Sequence, residues 1–373
     1  MKPKVSIVRC SDYNTDRVYE AVKSSIDLLG GMQSFVKPGT KVLVKPNLLM
    51  AKEPESGIIT HPEVVRAVIR MLKEMGCGVY LGDGPSVWGS QIENIDHVYE
   101  VSGAKRIAEE EGVRLVKFDN KRWRSNKFPL TTYLDECDYF INIPKLKTHE
   151  FTLLTGAIKN LFGLVWWTHK VELHKKHFKA EDFSRMLADL YSEAKPSLTV
   201  VDAVTVLEGD GPATSGKLRN LNLILAGADG VALDSVMALI MGIKPQDVLS
   251  TKEAAMRGLG ISDINGIEVV GESLDSVTGR PFLLPVASFT RKLPRPVVNI
   301  AKRFIKYYPH PLHKICIRCS ACIKSCPQKV ISMKKGRISI NYRGCISCFC
   351  CQEICPVAAM EVRRSFVARL AGL

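Results

Sequence analysis

Two stretches near the end of the chain carry the densest chemistry in the sequence. Cys316 to Pro327 reads CIRCSACIKSCP, and Cys345 to Pro356 reads CISCFCCQEICP. Both fit C-x2-C-x2-C-x3-C-P. Thiolates are soft ligands, and this spacing wraps one tight loop around three corners of an iron–sulfur cube. The fourth cysteine lies just beyond that loop, and the proline marks where the chain leaves it. When two such runs occur together, the fourth cysteine of each ligates the other cluster. The expected sets are Cys316, Cys319, Cys322 and Cys355 for one [4Fe–4S] cluster, and Cys345, Cys348, Cys351 and Cys326 for the second. Cross-ligation of this kind makes the segment one folding unit that depends on iron.

Disulfides belong to small secreted chains, and zinc sites use two separated C-x2-C pairs. Neither explains a third and fourth cysteine at the spacing of bacterial two-cluster ferredoxins. Of the twelve cysteines, Cys10, Cys77 and Cys137 sit on or beside apolar stretches and read as packing residues. Cys350 lies between two ligands, as a neighbouring thiol or an alternative ligand. The start, MKPKVSIVRC, reads as a strand rather than an export signal, and no apolar run spans a membrane. The expected location is the cytoplasm, in an anaerobe or a low-oxygen niche.

The net charge of +14 is uneven. From residue 276 to the end there are 18 Lys and Arg against two acids, Glu353 and Glu361. Part of that basicity offsets anionic clusters. The rest points to an acidic redox partner of ferredoxin or flavodoxin type, a redox enzyme complex, or peripheral contact with an anionic membrane. Nucleic acid is disfavoured, since no binding motif accompanies the charge.

The elements ahead of the cysteines alternate. Strands are expected at 4–10, 41–49, 78–82, 114–118, 139–144, 198–206, 221–227 and 267–270. Helical patterns follow at 11–29, 61–75, 99–112, 178–195 and 231–241, with 152–163 a short helix or turn. The fold class is therefore α/β: a mainly parallel, doubly wound sheet over 1–275. A basic Pro-rich linker over 276–312 leads to a small α+β two-cluster domain with a basic tail over 313–373. Two stretches, VVNIAKRFIKYY and EVRRSFVARLAGL, read as basic and amphipathic.

In open α/β sheets, ligands bind at the carboxyl ends of strands. Polar residues collect there: Lys45 and Asn47; Asp83 in Gly82-Asp83-Gly84-Pro85; Lys145, Lys147 and His149; Glu208 and Asp210 in Glu208-Gly209-Asp210-Gly211-Pro212. Lys159 and Asn160 add to them. Lysines beside carboxylates suit a small anionic substrate or cofactor. Lys45, Asn47, Lys145, Lys147, Lys159 and Asn160 would hold it, with Asp83, Asp210 or His149 as proton donors. Ordinary solvated loop residues are the alternative. The segment HKVELHKKH (His169, Glu172, His174, His177) resembles a metal-ligand cluster, but its lysines argue for a solvated helix face. Trp166-Trp167 reads as a packing or lid element. No G-x-G-x-x-G, P-loop, Gly-x-Ser-x-Gly or His-Glu-x-x-His motif appears.

The set VLVKPNLL, THPEVV, GDGPS, PKLKTH, TGAIKNLFG, EGDGP and ALDSVMALIMG resembles the bacterial and archaeal domain-of-unknown-function family 362. Many of its members carry a carboxy-terminal two-cluster ferredoxin domain. The resemblance implies the architecture and iron–sulfur chemistry, and it supplies no reaction. Two functions fit: an oxidoreductase passing single electrons to or from an anionic ligand in the crevice, or a non-catalytic electron carrier or assembly subunit whose first domain recognises a protein partner.

Overall fold

The computed structural model describes residues 2–85, 95–167, 169–214, 216–285, 307–357 and 359–365. The first unit starts with β1 (Lys4–Arg9), α1 (Thr15–Asp27), β2 (Lys41–Pro46), α2 (Pro62–Glu74) and β3 (Gly78–Leu81). Next come α3 (Ile95–Val101), α4 (Ala104–Glu111), β4 (Arg114–Leu115), the hairpin β5 (Lys121–Arg124) and β6 (Phe128–Thr131), and α5 (Tyr133–Glu136). Then follow β7 (Tyr139–Ile143), β8 (Lys145–His149), β9 (Leu153–Thr155), α6 (Ala157–Asn160), α7 (His169–Lys176) and α8 (Ala180–Glu193). The unit closes with β10 (Leu198–Gly209), β11 (Gly216–Gly227), α9 (Gly230–Ile240), α10 (Leu249–Met256), β12 (Glu268–Gly271) and α11 (Leu274–Val277).

The main sheet runs β12-β1-β11-β10-β7-β2-β3-β4, with β8 paired to β10 and β9 to β8. Along that main path every pairing is parallel except those of β11, which runs antiparallel to β1 and β10. The exception is a long β10–β11 hairpin. Its turn residues close the chain back without room for a crossover helix, so the strict strand–helix alternation stops there. Buried strands such as VLVKP in β2 are apolar on both faces because helices cover both, as α/β sheets require.

One feature of this topology positions the site. From β2 the chain steps outward through β3 to β4, then returns across β2 to place β7 on its other side. The carboxyl ends of β2 and β7 therefore meet at a switch point, where the crevice of a doubly wound sheet opens. There Lys45 is in register with Asn142.

Local differences from the sequence reading have plain causes. The helix expected at 99–112 is two helices broken at Ser102 and Gly103. PKLKTH, read as a loop, holds β8, whose five residues are all buried. The β5–β6 hairpin is too short and charged to show a strand period. Part of the expected linker is structured: Phe282 joins the core beneath α9, and β13 (Tyr307–Pro311) belongs to the second unit. Most of VVNIAKRFIKYY and the end of the basic tail lie outside the described residues.

The second unit pairs β13 with β16 (Met360–Arg364) and contains the hairpin β14 (Ile331–Lys334) and β15 (Arg337–Ile340). Two short helical turns, Ala321–Ser325 and Cys350–Glu353, follow the cysteine loops. Ile331, Ile338 and Met360 pack with the cysteines into a small core. Among the described residues no helix is long and apolar enough to cross a membrane.

Candidate functional site

A cleft open to solvent lies at the switch point. Lys45, Asn47, Asp83, Lys147, His149, Lys159 and Asn160 all line it. Lys45 and Lys147 are 0% and 1% exposed, so their ammonium groups are largely removed from water and must be paired or hydrogen-bonded. Lys45 Nζ sits 2.8 Å from Asp83 Oδ1 and donates to the Pro46 carbonyl at 3.0 Å. Burial lowers the Lys45 pKa, and Asp83 opposes that shift. Asp83 also accepts from the Leu48 and Gly84 N–H groups, at 2.8 and 2.9 Å. With all these donors engaged, Asp83 serves as an anchor for Lys45 and for the loop rather than as a proton donor. Glycine is required opposite the pair: a Cβ at Gly163 would fall on Asp83 Oδ1 and Lys45 Nζ.

The floor is a chain of amides. Lys147 Nζ donates to Asn47 Oδ1 at 2.9 Å and to the Ile58 carbonyl at 2.5 Å. Asn47 donates to Asn160 (2.9 Å), Asn160 to Asn142 (2.8 Å), and Asn142 to the Ala157 carbonyl (3.0 Å). Each amide is oriented by the next, which preorganises the floor. From α9, Asp234 accepts from the Ala157 and Ile158 N–H groups at 2.6 and 3.2 Å, holding the turn that carries Lys159 and Asn160. Burial pushes this carboxyl up to about 7, although the two N–H groups pull it down.

His149 Nδ1 accepts from the Phe151 and Thr152 N–H groups at 3.0 and 3.3 Å. The ring proton therefore sits on Nε2, which makes His149 a donor at that atom.

Lys170 is not singled out in the sequence, and His174 reads there as part of a solvated helix face. Lys170 and His174, one helical turn apart on α7, are buried and face the cleft. Lys170 Nζ donates to the carbonyls of Gly84 and Pro85, and burial lowers its pKa to about 7. His174 stacks on Phe183 at 4.6 Å, and burial, with Lys159 and Lys170 adding, pushes it down to about 3, so it is neutral. The i, i+4 spacing inside HKVELHKKH was the available signal, hidden among exposed lysines. The segment's histidines do not converge: His169 lies 3.3 Å from Glu172 and meets the edge of Trp123, away from His174. Trp166 and Trp167 donate to the Asp119 and Phe118 carbonyls, as packing residues do.

Lys145, Asp210 and Glu208 do not line the cleft. In a strand, alternate residues share a face, so Lys145, Lys147 and His149 form one row along β8. Lys145 is its innermost member. Its Nζ lies 2.8 Å from Asp202 Oδ2 and 2.7 Å from the Tyr13 hydroxyl, which donates to Asp202 Oδ1 at 2.8 Å. Tyr13 stacks on His61 at 3.7 Å. Glu208 pairs with Arg280 (2.6 Å) and Arg219 (3.3 Å). Burial works against its charge, but these arginines and the Leu283 N–H outweigh it and hold the carboxyl below its ordinary range. Asp210 lies half-buried in the hairpin turn, while Pro212 of the same turn reaches the cleft.

In the second unit, one small hollow is lined by Cys316, Cys319, Cys322 and Cys355. Another is lined by Cys326, Cys345, Cys348 and Cys351. Each cavity thus gathers three cysteines of one run and the fourth of the other. Four sulfurs around an otherwise apolar hollow fit an iron–sulfur cube. Burial and neighbouring thiols push Cys322 up to about 11, so iron must displace protons to bind. Cys350 lines neither cavity; it packs with Ala321, Ile354 and Val171.

The two units touch next to segments that carry the cleft residues Lys170 and Pro212. Thr214 Oγ1 donates to the Cys355 carbonyl at 3.1 Å, and Lys52 Nζ to the Pro356 carbonyl at 2.8 Å. Val171, beside Lys170 on α7, meets the Cys350 cluster.

Comparison with known proteins agrees with this architecture. Residues 312–356 match the family described as a 4Fe-4S dicluster domain, so this is an iron–sulfur protein. Residues 42–239 match the family described as Domain of unknown function (DUF362), and the chain belongs to that family. It is 32% identical over 268 residues to the "Thylakoid-associated protein sll1697" of Synechocystis sp., covering 70% of this chain and 81% of that one. Among solved structures, the lactate racemase apoprotein of Thermoanaerobacterium thermosaccharolyticum aligns with a TM-score of 0.40 and 12% identity. That alignment covers 65% of this chain and 58% of the racemase.

Proposed function

We propose that the protein passes single electrons between two [4Fe–4S] clusters and a small anionic molecule held in the lysine cleft. The observation that carries this reading is the contact of the cysteine unit with segments that also carry cleft residues: Val171 follows Lys170, and Thr214 lies two residues past Pro212. A carrier with an idle first domain has no need of that contact. Cys316, Cys319, Cys322 and Cys355 would hold one cluster, and Cys326, Cys345, Cys348 and Cys351 the other; the clusters supply one-electron chemistry. Four lysines and a single carboxylate line the cleft, which favours a ligand with more than one negative charge. Lys147 and Lys159 bind it, the Asn47–Asn160–Asn142 floor orients it, and Lys170 and His149 supply protons to it.

The test is anaerobic isolation of the protein, identification of any molecule released by acid, and reoxidation of the reduced protein by a panel of di- and tricarboxylates and phosphorylated acids. A competent anion bleaches or restores the cluster absorbance, and Lys147→Ala slows that change about 10- to 100-fold, the value of a lost charge-assisted hydrogen bond. If no anion is released or accepts electrons, and Lys147→Ala changes nothing, the reading fails.

A pH dependence follows from Lys170. Its ammonium is charged below about 7 and neutral above. An anion stabilises the charged form, so binding takes up protons near pH 7.5 and weakens as pH rises. Calorimetric titration in two buffers of different ionisation enthalpy measures that uptake, and identical heats in both would count against Lys170 as a ligand contact.

A further inference from the structure

The cleft gives electrons one terminus; the surface of the cysteine unit supplies another. From residue 307 to 365 the sequence holds ten Lys and Arg and two acids, Glu353 and Glu361. Glu361 is 2.5 Å from Arg363 and so cancels that cation, leaving the charge elsewhere on the unit in place. The cations are concentrated where the first cysteine loop meets the β14–β15 turn. A shallow hollow of about 500 Å³ there is lined by His313, Lys314, Cys316, Arg318 and Arg337. Lys334 and Lys335 extend it along the exposed turn. Beside it, Ile315 is 48% exposed, and Ile317, which also lines the Cys316 cavity, is 60% exposed. Two large apolar side chains left in water next to a cluster ligand, in a segment bracketed by Lys314 and Arg318, are what a protein docking patch requires.

We infer that this face is the docking site of an acidic one-electron carrier protein. Ile315 and Ile317 would form its apolar centre, with Lys314, Arg318, Lys334, Lys335 and Arg337 steering the carrier in. The charge selects the occupant: an acidic protein surface matches these cations, and long-range attraction raises the encounter rate. In the forward direction, a reduced flavodoxin loses one electron from its anionic hydroquinone, giving the neutral semiquinone. That electron would pass to the cluster that Cys316, Cys319 and Cys322 would hold with Cys355, with no bond broken and no proton moved. The inference goes beyond the cleft reading, because it concerns the other end of the electron path.

The experiment uses the full-length, iron-loaded protein and an acidic flavodoxin as probe. Binding of oxidised flavodoxin is measured by calorimetry, with no electron transfer, and reduction by the hydroquinone form by stopped flow. In the Arg318→Glu/Arg337→Glu variant, affinity and rate should each fall about tenfold or more at low salt, with iron content unchanged. In the unaltered protein, the rate should fall steeply as salt is raised through the range where the Debye length shrinks to about 8 Å. A change below about twofold in the variant would overturn the inference, as would a rate indifferent to salt. Vesicles of anionic phospholipid that abolish flavodoxin binding would also overturn it, by making a membrane the occupant. If the variant loses iron, the salt series on the unaltered protein decides. Because the calorimetric arm involves neither the cleft nor its ligand, failure of the cleft reading leaves this result standing.

Discussion

Replacing Cys326 with alanine is expected to halve the iron content, from about eight atoms to about four. The loss should fall on the site built by the other run. Cys326 shares its cavity with Cys345, Cys348 and Cys351, whereas Cys316, Cys319 and Cys322 share theirs with Cys355. Alkylation followed by peptide mass mapping distinguishes the two. In Cys326→Ala, Cys345, Cys348 and Cys351 become reactive, while Cys316, Cys319 and Cys322 stay protected. Protection of the wrong set would refute the cross-ligation. Complete removal of iron has a larger effect still. The unit has a core made chiefly of Ile331, Ile338, Met360 and the cysteines themselves, too small to stand alone. Chelation at acid pH, where protons compete for the thiolates, should therefore abolish the β13–β16 and β14–β15 pairings, as read by amide hydrogen exchange. The first unit has three extensive cores of its own and should keep its protection.

The second large effect concerns Asp202, whose hydrogen-bonding partners lie in the first unit. Its carboxylate accepts from Lys145 Nζ and the His61 N–H, each at 2.8 Å, and from the Tyr13 hydroxyl at 2.8 Å. Lys145 and Asp202 are both fully buried. Asp202→Ala leaves an ammonium without its counter-charge and should cost about 3–5 kcal/mol, measured by denaturant unfolding of the first unit. Adding Lys145→Met removes the orphaned charge and should recover most of that loss. The single variant should also gain stability as pH rises. Burial lowers the Lys145 pKa in the folded state, so the folded state binds fewer protons than the unfolded one, and stability climbs toward the ordinary lysine range near 10.4. Equal losses in Asp202→Ala and in the double variant would show that packing, not charge, sets the cost. Iron content should be unaffected throughout; what separates this structural pair from Lys147, two residues along the same strand, is that Lys147 lines the cleft and Lys145 does not.

That contrast between Lys145 and Lys147 marks the boundary of what the sequence determines. The three cysteines that each run brings to one hollow were legible because the C-x2-C-x2-C loop is local: its spacing alone presents three sulfurs to one centre. The long helices α2, α8 and α9 were legible for the same kind of reason, since an apolar stripe at helical period is a property of neighbouring residues. Strand-end position likewise pointed to Lys45, Asn47, Asp83, Lys147 and His149, which line one cleft together with Lys159 and Asn160. Which of the strand-end charges are consumed by partners was not legible. Lys45 meets Asp83, Lys145 meets Asp202 and Glu208 meets Arg280 across separations of 38, 57 and 72 residues. No local period encodes those partners; the order of strands in the sheet does. The inward turn of Lys170 and His174 likewise depends on α7 packing against Phe162 and Phe183, which reverses the usual preference of lysine for water. The seating of Cys355 and Pro356 on Thr214 and Lys52 belongs to the same class. Sequence alone determined which groups could do chemistry. Tertiary structure decided which of them share a cleft, because burial and ion pairing depend on contacts between residues far apart in the chain.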